Sequence, residues 1–211
     1  MGPKERRERE REETRSLILD ADRELFVSEG YDAVTMRRIA DKIEYSPTAI
    51  YFHFRDKEAL MKELCNVDFL TLAQQFLKID RVKDPIERLR RTGYAYIDFG
   101  MSHPNHYRLM FMTPHPPMKF DDEIMQRQGN PEQDAYAFLR DIVAEGVKDG
   151  RLTKEWHDVE LTSQTIWAGV HGVISLEIAK CNDDWVDWRS MKKRGAAMVD
   201  LIVAALTGGK E

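Results

Sequence analysis

Apolar positions recur at spacings of three and four residues along most of the chain, and that spacing predicts helices from end to end. Residues 14–29 carry Leu17, Ile18, Ala21, Leu25 and Phe26 on one face of a first helix, which Gly30 can end. Thr35 can cap a second helix, with Met36, Ile39, Ala40 and Ile43 inward and Arg37, Arg38, Asp41 and Lys42 outward. Glu44-Tyr45 makes a turn. Ser46 is then an N-cap, and Pro47 falls at the first helical position, where a missing N–H costs nothing. The short helix that follows buries Ile50 and Phe54. Asp56 caps a further helix that begins at Lys57, buries Leu60, Met61 and Leu64, and continues to about Ile79. Tyr31 and Val34 close a small three-helix core with Leu25, Phe26 and Ile39.

Asp84 and Pro85 open the next helix, 86–101, whose centre is apolar nearly all round apart from Asp98, as in a helix inside a bundle. A helix over 105–112 follows, and then a loop, because 113–117 holds three prolines. For 118–130 two readings stand: a short helix around Glu123-Ile124-Met125, or a mobile segment ending at Gly129-Asn130. Pro131 to Asp149 is the next helix, ended by Gly150. Two long ones finish the chain, from Asp158 to about Lys180 and from Asp183 or Asp184 to about Leu206. The first carries Ala168, Gly169 and Gly172, small enough for close helix approach. Together the pair has more apolar surface than one small domain easily covers, which points to a homodimer joined in a four-helix bundle. The other reading is internal core, since buried and interface stripes look alike in sequence. No run of alternating β-branched residues appears, so no sheet is expected. The expectation is an all-α protein: a helix-turn-helix domain over 1–62, with a charged arm at 1–13, and a helical bundle with dimerisation helices over 63–211.

Composition alters this picture in one respect. At 211 residues and 42% hydrophobic the chain can bury a sizeable core, but its net charge of −5 does not advertise a nucleic-acid partner. Restricting the count to 1–62 leaves thirteen Lys and Arg against fourteen Asp and Glu. Local patterning survives: Arg6, Arg7, Arg9, Arg11 and Arg15 crowd the arm, and Arg37, Arg38, Lys42 and Lys57 fall near the motif. The arm is either a solvated helical extension or an element that reaches for DNA, and both can hold if it orders on DNA. Cys65 and Cys181 have no metal-like spacing, and with no secretory signal or spanning segment the expected setting is a reduced cytoplasm.

Thr35, Ile39-Ala40, Ser46, Ile50-Tyr51, His53-Phe54, Lys57-Glu58 and Leu60, at these spacings, resemble the DNA-binding region of the TetR family of bacterial transcriptional regulators. Phe26, Gly30 and Tyr31 resemble the end of that family's first helix. In the second half, His103-Pro104, Tyr107 to Phe111 and Trp167-Ala168-Gly169-Val170-His171-Gly172 are similar to a subgroup with a Trp-x-x-x-His-Gly pattern. The resemblance implies a dimeric regulator, most simply a repressor, that binds a palindromic operator in double-stranded DNA and is released by a small-molecule effector. It makes 63–211 the ligand-binding and dimerisation domain. It implies backbone contacts from Thr35, Tyr51, His53 and Lys57, and base contacts from Pro47, Thr48, Ala49 and Phe52. Arg37, Arg38 and Ser46 complete the set expected at the DNA. Ala49 and the Thr48 methyl suit the thymine methyl group. The chain departs from the family's pattern at Glu44, where a turn glycine is usual, and at Phe52, where a polar or basic residue is common.

An effector cavity would draw on Tyr94, Asp98, Met101, Tyr107, Met110, Phe111, Trp167 and His171, a mostly apolar set with a few orienting polar groups. For each, a satisfied core residue is the competing reading. His103-x-x-His106 straddles a proline break and has no Cys or carboxylate to complete a metal set, so neither metal nor cofactor is expected. No Gly-rich phosphate loop, Gly-x-Ser-x-Gly elbow or paired Cys motif argues for an enzyme. The alternatives kept are a DNA-binding protein without an effector and a helical-bundle enzyme.

Overall fold

Caps and glycines set most helix boundaries in the computed structural model, which describes residues 2–115, 117 and 122–209. Among these residues there is no strand, and ten α-helices follow in order. They are α1 (Pro3–Glu29), α2 (Met36–Lys42), α3 (Pro47–His53), α4 (Lys57–Leu77) and α5 (Pro85–Ser102). Then come α6 (Pro104–Phe111), α7 (Asp122–Met125), α8 (Ala135–Lys148), α9 (Val159–Lys180) and α10 (Met191–Thr207). The all-α expectation therefore holds. Of the stretch left with two readings, the short helix is α7, and residues 118–121 lie outside the described ones.

Packing divides the chain into two units. One holds the residues up to Asp68 and the described part of 105–121; the other holds 69–104 and the described part of 122–211. They part within α4, and α6 joins the first although it lies well beyond it in sequence.

In the N-terminal unit, α1, α2, α3, the start of α4 and Leu109 of α6 close one core. Ile18, Phe26, Ile39, Ile50, Leu60 and Leu64 are fully buried there, with Val34, Phe54 and Met61 nearly so. The Phe26 and Tyr31 rings meet at 5.2 Å. The charged arm is helical, as one of its two readings has it, and one expectation for α1 needs correction. The helix runs from Pro3, ahead of Thr14, because the Glu5 carboxylate accepts the Gly2 N–H at 2.8 Å and Arg6–Glu10 and Arg9–Glu13 pair one turn apart. Leu17 does not face the core: it is 44% exposed, since Ile18, Asp22 and Leu25 set the buried line one residue round.

In the C-terminal unit, α5, α8, α9 and α10 pack on one another. Close approach is built in. A Cβ on Gly93 would stand 3.0 Å from Val199 Cγ2, and one on Gly195 3.1 Å from Ile97 Cδ1, so α5 and α10 meet over two glycines. Gly169 does the same for α9, 3.2 Å from Ile202 Cδ1. The start of α8 shifts from Pro131 to Ala135, because the Asp134 carboxylate accepts the N–H groups of Tyr136 and Ala137 and leaves 131–134 as a turn. The start of α10 shifts further, from Asp183 or Asp184 to Met191. Arg194 lies over the Trp188 ring at 4.9 Å and donates to the Arg189 carbonyl, which holds the preceding segment in an irregular path. Nor is α5 buried all round. It hides Leu89, Tyr96, Ile97 and Phe99 but presents Arg91, Tyr94, Asp98 and Met101 as one exposed stripe.

Candidate nucleic-acid interface

The motif from Thr35 to Leu64 is assembled by three side-chain caps. Thr35 Oγ1 accepts the Arg38 N–H at 3.1 Å, Ser46 Oγ accepts the Ala49 N–H at 3.2 Å, and Asp56 Oδ1 accepts the Ala59 N–H at 2.8 Å. The reversal between α2 and α3 turns on Glu44, whose φ of +58° is the left-handed conformation glycine ordinarily supplies. The Tyr45 N–H, bonded to the Ala40 carbonyl at 3.0 Å, closes that turn. Glu44 meets the requirement the family's glycine would, at a backbone cost of about 1–2 kcal/mol.

Helix α3 is seven residues long and pinned by Ile50, with Phe54 just after it in the core. Its other faces are open: Pro47 and Thr48 are exposed, Ala49 half so, Tyr51 54% and Phe52 73%. Two large aromatic rings facing water on a single short helix have no role in the core. Tyr45, exposed on the turn beside them, was not in the expected set; an aromatic next to a cap is not a signal by itself.

Charge around α3 is partly committed. Arg37 is exposed. Arg38 forks onto Glu29, with Nη2 2.8 Å from Oε1, and that bond holds the Glu29 carboxyl below its usual range. Lys42 pairs with Glu24 at 2.8 Å, so two outward bases of α2 tie it to α1. Lys57 donates to the Tyr31 carbonyl at 2.8 Å while its ammonium lies 4.2 Å from the Tyr31 ring centroid. His53 is half-buried with Nδ1 enclosed. Burial first, then the nearby Arg11 and Arg15 guanidinium groups, lower its pKa and so favour the neutral ring. Arg15 lies 4.4 Å from the Phe54 ring centroid and pairs with Glu63 at 2.9 Å, and Arg11 reaches within 5.8 Å of the Phe52 ring.

The expected effector residues divide between the units. Tyr107, Met110 and Phe111 belong to the N-terminal unit, where Tyr107 and Met110 are buried and the Tyr107 and Phe111 rings are 4.9 Å apart. Tyr94, Asp98 and Met101 lie on the open stripe of α5 in the C-terminal unit. Trp167 and His171 sit in an aromatic cluster of the same unit. There the Trp167 indole donates to Tyr96 Oη at 2.8 Å, Tyr136 stands 6.0 Å from the Trp167 ring, and Ser175 meets His171 Nε2 at 2.9 Å. Burial lowers the His171 pKa and so favours its neutral ring. Tyr96 and Tyr136 join this cluster without any sequence signal, because contacts between α5, α8 and α9 leave no mark in local spacing. Among the described residues no three His, Cys, Asp or Glu side chains gather as a metal set, and no helix is long and apolar enough to cross a membrane.

A capped helix, a tight reversal and a short second helix with an open aromatic face define a helix-turn-helix protein. Comparison with known proteins narrows the class. Residues 18–64 match the family described as bacterial regulatory proteins, tetR family, and residues 89–188 match the tetracyclin repressor-like C-terminal domain. The transcriptional regulator QacR of Staphylococcus aureus is 28% identical over 166 residues, covering 75% of this chain and 83% of its own. The regulator UidR of Escherichia coli is 33% identical over 85 residues, 40% of each chain. Among solved structures, the TetR-family regulator PfmR from Thermus thermophilus has the same fold, with a TM-score of 0.69 at 24% identity over 90% of this chain and 98% of its own. The chain belongs to the TetR family, and it is a DNA-binding transcriptional regulator.

Proposed function

We propose that the protein represses transcription as a homodimer seated on a palindromic operator, one α3 in the major groove of each half-site, and leaves the DNA when a small molecule binds its C-terminal unit. The observation that carries this reading is the open face of α3, on which Thr48, Tyr51 and Phe52 stand exposed while Ile50 anchors the helix from behind. Phe52 offers apolar contact with no hydrogen-bonding group, so recognition leans on thymine methyls and on DNA shape. Dimerisation is supported by Leu161, Ala168 and Leu176 along α9 and Ala197, Leu201 and Ala204 along α10, an apolar stripe whose Leu201 is 64% exposed. The effector engages the Tyr96, Tyr136, Trp167 and His171 cluster. A coupling of about 1–3 kcal/mol between that site and the DNA gives severalfold to hundredfold release. The protein acts in the cytoplasm without catalysis or cofactor.

Selection of binding sites from random duplexes, with sedimentation of the purified protein, tests this. Enriched sites should be inverted repeats with half-sites about 34–36 Å apart or a multiple of that. A monomer that enriches nothing would defeat the reading. At single-residue level, Lys57→Ala is expected to weaken binding to every duplex and to lower the salt slope by about one unit. An unchanged slope would confine Lys57 to its structural role at Tyr31.

A further inference from the structure

The arm that sequence leaves with two readings is, in the structure, the first half of α1. Residues 3–13 are helical and exposed, and the first buried side chain is Ile18. From Pro3 to Leu17 the helix extends about 22 Å ahead of its core-packed part, at about 1.5 Å per residue. The near balance of acids and bases conceals a sorted arrangement. Lys4, Arg7, Arg11 and Arg15 recur at spacings of three, four and four residues, so they share one helix face. The same register continues as Ile18, Asp22 and Leu25, all buried. The Ile18–Leu25 line of the face that α1 turns to the core thus continues beyond the core as a basic stripe, while the buried Leu19–Phe26 line beside it continues as Glu8 and Glu12. Its direction is marked by two contacts: Arg15 lies over Phe54, and Arg11 lies over Phe52, the most open ring of α3. Arg6 and Arg9 stand on the other side of the helix and pair with Glu10 and Glu13.

We infer that the α1 extension is a second DNA-contact element, in which Lys4, Arg7 and Arg11 follow the phosphate backbone beside the groove that α3 occupies. Charge complementarity favours this polyanion over a lipid surface. From Lys4 to Arg15 there is no apolar side chain to enter a membrane interface, whereas a stripe of point charges at helical spacing matches phosphates. The inference rests on the regulator reading and adds to it a contact surface outside the helix-turn-helix.

The test uses the full chain, a duplex selected by the wild type from a random library, and two double variants with the same change in charge. Arg7→Ala/Arg11→Ala removes two bases from the stripe; Arg6→Ala/Arg9→Ala removes two from the opposite side. Alanine keeps the helix, and all four residues lie outside the core, so the Tm of both variants should stay that of the wild type. Each neutralised phosphate contributes about 0.9 to the slope of log affinity against log salt. Arg7→Ala/Arg11→Ala should therefore lose about two units for each bound subunit and bind at least tenfold more weakly at physiological salt, with Arg6→Ala/Arg9→Ala close to wild type. Equal losses in both variants would reduce the effect to net charge and overturn the inference, as would a full slope in Arg7→Ala/Arg11→Ala. Phosphatidylserine vesicles serve as the competing surface: wild-type binding that Arg7→Ala/Arg11→Ala abolishes while its DNA slope is unchanged would assign the stripe to membranes and overturn it as well. A wild type that holds no duplex at all would bring down the regulator reading and this inference together.

Discussion

Replacing Arg23 by Met is expected to lower the unfolding free energy of the N-terminal unit by about 3–5 kcal/mol, the range for stripping one partner from a buried ion pair. Arg23 and Asp68 are both buried, with Nη2 2.8 Å from Oδ1 and Nε 3.3 Å from Oδ2. Asp20 takes a third guanidinium hydrogen bond at 2.7 Å, and His106 Nδ1 meets Asp68 Oδ1 at 2.9 Å. One guanidinium and one carboxylate thus tie α1, α4 and α6 together inside the unit that carries the motif. Without Arg23, the Asp68 charge keeps, among the described residues, the His106 contact. Adding Asp68→Leu to Arg23→Met should restore much of the loss, since a pair exchanged for apolar groups is often neutral while half a pair is not. Urea unfolding of the two single variants and the double variant measures both numbers. A loss under 1 kcal/mol for Arg23→Met would mean that the pair contributes no more than an exposed one.

The second large effect depends on pH. Asp22 is fully buried on α1, and neither carboxyl oxygen accepts a hydrogen bond from the described residues. Burial pushes its pKa from 3.8 up to about 8, against the opposing pull of Arg23 and Lys57. The folded form therefore holds a proton that the unfolded chain gives up near pH 3.8. The group's contribution to stability is full below that pH and is lost as pH rises towards about 8. Across that window it lowers the unfolding free energy by as much as about 1.4 kcal/mol per pH unit. Asp22→Asn removes the titration, so the Tm difference, variant minus wild type, should grow from pH 5 to pH 8. A constant difference would show that Asp22 ionises in place.

Much of the head was legible because its signals are local. Thr35, Ser46-Pro47 and Asp56 declare three helix starts through chemistry confined to four residues, and Ile39, Ala40 and Ile50 fix the buried faces by spacing alone. Local signals also mislead where several compete. Asp183 and Asp184 are good caps by type, yet α10 begins at Met191, since the path before it answers to Arg194 and Trp188. Pro131 could open a helix, but Asp134 does so instead. Contacts distant in sequence were beyond reach: Arg23 and Asp68 lie 45 positions apart, and the Trp167–Tyr96 hydrogen bond spans 71. The basic stripe of α1 lay between these cases. Its register was present in the residues, but a count of charge without regard to helix face cancels it.

The left-handed glutamate at the reversal has a consequence for how α3 comes into being. A side-chain-bearing residue rarely visits that conformation in a free chain, so the bend does not preform. It is imposed once Ile39 and Ala40 on one side and Ile50 on the other are sealed into the core. Bend, short helix and core are then one cooperative event, and damage to the packing anywhere between Ile18 and Leu64 disorders the exposed face of α3 along with it.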